Sequence, residues 1–141
     1  MKIYINIMMV LMFASMACDV EDEVVSALTP EVNSAYVGTW KWTHEQDNSA
    51  ADCSGDWVDD AEAEIDSNIG WTLDANGVMS SLDGTMSYPY TSSGTTGTYL
   101  GIAPLTFEEQ TDGTWVMWMQ MEGTDADDNP VICYRSGYTM Q

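Results

Sequence analysis

From Tyr36 onward, no apolar stretch runs far before Gly, Asp, Asn, Ser or Pro cuts it. Such punctuation leaves no long amphipathic helix and points to short strands joined by tight turns. Tyr36 to His44 alternates, with Gly38, Trp40, Trp42 and His44 on one face and Thr39, Lys41 and Thr43 on the other. Residues 45–63 read as a long acidic loop, partly docked through Trp57 and Cys53. "IGWTLDANGVMSSL" predicts a hairpin, with Gly77 supplying the positive φ of a tight turn. "GTMSYPYTSSG" continues as a strand in which Pro89 marks an edge or bulge. "GTYLGIAPLTFEEQ" holds one strand, or two about Pro104. In "DGTWVMWMQMEG", Trp115, Met117, Met119 and Met121 share a face opposite Val116, Trp118 and Gln120. "DADDNP" is a turn, and "VICYRSGYTM" closes the chain as a strand. There Cys133, Arg135 and Gly137 lie opposite Tyr134, Ser136 and Tyr138. About seven to eight such strands at hairpin spacing predict an all-β fold. A small antiparallel up-and-down β-barrel is the first expectation, and a β-sandwich is the alternative. Bulky residues on both faces of several strands favour the closed barrel.

A length of 141 residues predicts a single folded domain. Acidic residues number 23 against three Lys and Arg, for a formal charge of −20. Nucleic acid is excluded as a partner, because phosphate contacts need Lys and Arg. Docking on anionic lipid through a basic patch fails on the same ground. The charge reads as a solvated acidic surface, with cationic partners and divalent metals left open.

The first residues have a charged start at Lys2, an apolar run from Ile3 to Phe13, and small residues Ala14, Ser15 and Ala17 before Cys18. This is the layout of a secretory signal. The apolar run is too short for a spanning helix, which needs roughly 20 residues. The layout resembles bacterial lipoprotein signals, with Ser15 standing where the family usually has an aliphatic residue. The resemblance implies a signal peptide over 1–17, cleavage after Ala17 and acylation of Cys18. Residues 18–34 then read as an acidic flexible tether and 35–141 as the folded domain. The acids after Cys18 resemble the export tags of surface lipoproteins in Bacteroidetes-type bacteria. An exported protein, lipid-anchored to the outer membrane or cell surface of the bacterial envelope, is the localisation implied.

Cys53 and Cys133 remain. In an oxidising compartment they read as one disulfide closing a loop of about 80 residues. A metal site would need more soft ligands than the single His44 supplies. A catalytic thiol beside His44 is the other rival.

The order of elements, with Gly38-Thr39-Trp40 on the first strand, the "DANG" hairpin and Arg135 on the last strand, resembles small lipocalin-like lipoproteins of bacteria. The resemblance covers residues 36–140 and implies a lipocalin-like barrel. It also implies that Trp40 and Arg135 close one end as a cation–π pair. Barrels of this class hold small apolar molecules in their mouths, and Trp42, Trp71, Trp115, Met117 and Met119 are the candidate lining. The same five residues could instead fill a dry core. "DADDNP" offers Asp125, Asp127, Asp128 and Asn129 as oxygen ligands. It fails the EF-hand pattern, because Pro130 stands at the sixth position and Ser136 at the twelfth. No metal or cofactor is therefore expected. With one histidine and no nucleophile motif, no catalytic residue is expected either. The expected function is non-catalytic binding of a small hydrophobic ligand at the envelope. The alternative is a surface module with a filled core that binds protein or glycan through its acidic or aromatic surface.

Overall fold

The computed structural model describes residues 30–141. Nine strands follow in order: β1 Gly38–Asn48, β2 Trp57–Asp59, β3 Gly70–Leu73, β4 Val78–Ser81, β5 Ser87–Ser93, β6 Thr96–Tyr99, β7 Ala103–Glu109, β8 Trp115–Thr124 and β9 Pro130–Met140. Every pairing is antiparallel. β1 pairs with β3 through Gly38–Lys41 and with β9 through Trp40–Asp47. That double pairing closes β1 and β3–β9 into an eight-stranded up-and-down barrel and rules out the sandwich. It is the lipocalin-like architecture expected, with one strand more. The extra strand, β2, lies outside the ring and pairs with Gln46–Asn48 of β1. The segment 45–63 is therefore not one loop: its first residues extend β1, and Trp57–Asp59 return along them. Pro89, expected at an edge or bulge, instead sits within the closed ring opposite Val78. Just past the end of β6, the Leu100 amide donates to the Pro89 carbonyl at 3.0 Å, so Pro89 keeps its place as an acceptor although it has no N–H to give.

The register of β1 slips between Trp42, paired with Tyr138, and His44, paired with Gly137. Thr43 is the extra residue of a β-bulge, and the alternation reverses after it. Trp40 and Trp42 pack on the interior. His44, expected on that face, instead sits against Trp118 on the outer wall, ring centroids 5.7 Å apart.

One end of the barrel is sealed. Asn33 caps a 3-10 turn, Ser34–Tyr36, and Tyr36 stacks on Phe107 with centroids 3.8 Å apart and planes 3° from parallel. Trp40, fully buried, donates from Nε1 to the Tyr36 carbonyl at 3.0 Å. Above them Leu73, Met79, Tyr90, Leu105, Met117 and Met119 are each no more than 2% exposed. Each such side chain contributes about 1.5–3 kcal/mol of hydrophobic stabilisation. The barrel unit begins at Glu31. The Ser92 amide donates to the Glu31 carbonyl at 2.8 Å, and the Asn33 amide donates to the Ser92 hydroxyl at 2.8 Å. Val32 packs on the core. The expected signal peptide, Cys18 and the rest of the tether lie outside the described residues.

Many of the acids hold turns. Asp74 accepts from the amides of Asn76 and Val78, and Asp112 from the amide and hydroxyl of Thr114. Asp125 accepts from the amides of Asp127 and Asn129, which accounts for "DADDNP" as a self-capped turn. Asp83 takes the Ser81 hydroxyl and both the amide and hydroxyl of Thr85. Those bonds, the Ser81 hydroxyl's first, draw its carboxyl down to about 2. A carboxylate whose folded value lies below its unfolded one, roughly 3.9, adds stability above that value. The contribution is lost as pH falls toward 2. Urea midpoints should therefore separate wild type from Asp83→Asn above about pH 4 and converge as pH falls toward 2.

Candidate functional site at the barrel mouth

The end opposite Tyr36 is built differently. β7 begins at Ala103 and pairs with β8 only from Leu105–Met119 onward. The β8–β9 pairing continues through Gln120–Arg135 and Met121–Tyr134 to Thr124–Pro130. The hairpin thus overshoots its neighbour, and β8 has no strand on that side beyond Met119. The gap is an open cavity of about 620 Å³ lined by Tyr99, Ala103, Met121, Glu122, Ile132 and Tyr134 among others. That volume is within the range of small-molecule sites. Its rim is apolar: Ile102 is 86% exposed, and Leu100, Val131 and Ile132 about half exposed. Leu100 takes a positive φ of 55° in the β6–β7 turn, followed by Gly101 at 75°. A bulky side chain pays in strain for that conformation, which Asn or Gly would adopt more readily.

Tyrosines crowd the cavity and its floor. Tyr134 donates its hydroxyl to Met121 Sδ at 3.0 Å. Burial raises the Tyr99 hydroxyl above its ordinary range, and the neighbouring Tyr138, Tyr134 and Tyr88 raise it further. Burial raises Tyr138 too, opposed by Trp71 and Ser136 and reinforced by Glu45. These two tyrosines therefore stay neutral donors well above neutral pH. Ser136, buried, donates to Glu45 Oε2 at 2.9 Å. Trp71 Nε1 is buried and lies near enough to influence Tyr138, yet makes no hydrogen bond of good geometry among the described residues.

The five residues expected to line a ligand cavity do not line this one. Met117 and Met119 are core, and Trp115 packs on Tyr36 at 5.5 Å between centroids. Trp42 is half-buried against the core and donates to the His44 carbonyl at 2.9 Å. Trp71 borders a separate recess of about 110 Å³ with Ile69, Leu82 and Met86. Met121 continues the inward face of "WVMWMQM" and Tyr134 that of β9, so alternation could have identified both. Ile132, two residues before Tyr134, shares its face, whereas Tyr99 and Ile102, at the end of β6 and in the turn after it, carried no such signal.

The Trp40–Arg135 pairing is also corrected. Arg135 lies opposite Gln46, far along the barrel from Trp40, and on the outer wall. Its guanidinium is 4.0 Å from the ring centre of Trp118 and 4.6 Å from that of Trp57. Its Nε donates to Gln46 Oε1 at 2.8 Å, and Glu108 completes an ion pair at 3.5 Å. Trp118 donates from Nε1 to the same Glu108 at 2.9 Å. Gly137 makes room for this stack: an added Cβ would meet the Trp118 ring at 2.7 Å. One pleat away, the Cys53–Cys133 disulfide fastens the turn before β2 to the same wall. The disulfide expected from the sequence is present. Among the described residues, no group of three His, Cys, Asp or Glu side chains is placed to hold a metal.

Compared with protein-family models, curated proteins and solved structures, the chain gives no match to any of them.

Proposed function

We propose that the protein binds a small, largely apolar molecule at the mouth of its barrel without chemical conversion. One observation carries this reading: the open cavity of about 620 Å³ between the β6–β7 turn and the overshooting β8–β9 hairpin. Its apolar rim and interior tyrosines supply what such sites use, hydrophobic area with a few polar groups to orient the guest. The rival reading, a surface module using aromatic side chains, has less behind it. Trp57 and Trp118 on the outer wall already stack on Arg135.

The test is native mass spectrometry of protein purified from its own source, with and without Ala103→Trp. Ala103 borders the cavity, so an indole there fills it. Wild type should retain a small molecule that the variant loses while keeping its fold. Retention by both, or by neither, overturns the reading. The layout of residues 1–18 supports export and a lipid anchor as the setting. Acyl chains add about 0.8 kcal/mol per buried methylene, so two or three hold a protein at a membrane. Cys18→Ala should move the protein from the membrane fraction to the soluble one, and unchanged partitioning would defeat the anchor.

A further inference from the structure

The cavity has a sign as well as a size. Among the described residues the Lys and Arg side chains are Lys41 and Arg135 only. Arg135 is engaged on the outer wall by Trp57, Trp118, Gln46 and Glu108. Lys41 follows the interior-facing Trp40 and so faces outward, toward the sealed end, where it pairs with Gly70 and Thr139. Neither side chain is part of the cavity's lining. Glu122 lines the cavity directly. Past the Thr43 bulge, Glu45 turns to the inner face of β1, outside the cavity's lining, opposite the buried Ser136 to which it is hydrogen-bonded. Tyr99 and Tyr134 line the cavity together with Glu122.

Resting on the reading of the mouth as a ligand site, we infer that its guest is an amphiphile with a cationic head, such as an alkylammonium. A fatty acid or other anionic lipid is refused. An anionic head placed here would meet Glu122, with no Lys or Arg side chain in the lining to answer it. An ammonium would gain that carboxylate and the faces of Tyr99 and Tyr134, the environment in which cation–π attraction operates. The apolar tail would lie along Met121 and Ile132, toward the exposed Ile102. The built cavity makes this a site, and Glu122 decides which head group it accepts.

Isothermal titration calorimetry with three probes of equal chain length tests the inference: decyltrimethylammonium, decanol and decanoate. The ammonium should bind at least about tenfold tighter than decanoate, with decanol between them. The preference should shrink at high salt, because part of it is Coulombic. Glu122→Gln changes an exposed side chain and should narrow the gap without disturbing the fold. Glu45→Gln, outside the lining, keeps an acceptor for Ser136 and should narrow it less than Glu122→Gln does. Decanoate binding as tightly as the ammonium overturns the charge selectivity and leaves the ligand-site reading standing. If no probe binds, both fall. A preference undiminished in Glu122→Gln overturns the role given to that carboxylate.

Discussion

Replacing both bridging cysteines, Cys53→Ser with Cys133→Ser, is expected to lower the free energy of unfolding by about 4 kcal/mol. The bridge spans 80 residues, and closing a loop that long removes much of the unfolded chain's entropy. Against the 5–15 kcal/mol typical of small domains, the loss is large. The folded state should change little, because the strap holds to the wall by other means. β2 pairs with Gln46–Asn48, and Trp57 stacks on Arg135. Urea unfolding separates a loss in the unfolded state from one in the folded state. An uncrosslinked chain exposes more surface, so the dependence on urea should steepen as the midpoint falls. A lower midpoint with unchanged slope would place the effect in the native strap instead. The mouth lies among other residues, so ligand retention by the folded variant should match wild type.

The barrel was legible because its information is local. Alternation in "TWVMWMQM" sorts Met117 and Met119 from Trp118 with no knowledge of neighbours, and "DANG" marks a turn through backbone chemistry alone. The bulge at Thr43 was not legible. Nothing in "TWKWTHE" distinguishes an extra residue from an ordinary one, because the slip arises from pairing with β9. One unread residue set the facing of the rest of β1: His44, expected inside, went to the outer wall, and Glu45 faces inward. β2 was missed for a related reason. "WVD" is too short and too acidic to read as a strand, and it forms because the disulfide and Arg135 bring it beside the end of β1.

The mouth was harder still. A cavity is a difference between lengths, here of β7 against the β8–β9 hairpin, and no single segment carries a difference. Large apolar residues were natural candidates for lining it, but size and apolarity are also what fill a core. Trp115, Met117 and Met119 went there. Trp71 is buried as well, at the edge of a lesser recess. The residues left to line the cavity belong to strand ends and turns, whose exposure follows from where pairing stops. Arg135 shows the same limit. Being the only arginine made it conspicuous, but partner choice depended on its register with Gln46 and on the return of Trp57, both nonlocal.

Trp40→Ala is expected to cost about 3–5 kcal/mol, the range for emptying a buried aromatic site. Trp40 has no exposed surface and packs near Phe107 and Tyr36, centroids 5.7 and 6.4 Å away. Removing the indole opens a cavity at the sealed end and deprives the Tyr36 carbonyl of its donor. Trp40→Phe keeps much of the volume and loses the donor, so it should cost about 1–3 kcal/mol, the penalty of an unsatisfied buried acceptor. A double-mutant cycle then tests the architecture. Arg135 lies some five strand positions further along, more than about 15 Å away at the usual rise per residue. Trp40→Phe and Arg135→Lys should therefore add within about 0.5 kcal/mol. Trp118→Phe with Arg135→Lys should not, because the guanidinium lies 4.0 Å over that ring. Strong coupling between Trp40 and Arg135, with none between Trp118 and Arg135, would restore the pairing that the lipocalin resemblance implied and overturn the register of β1 against β9. The outer stack and the inner seal stand on opposite faces of one wall, and the cycle measures which face Arg135 occupies.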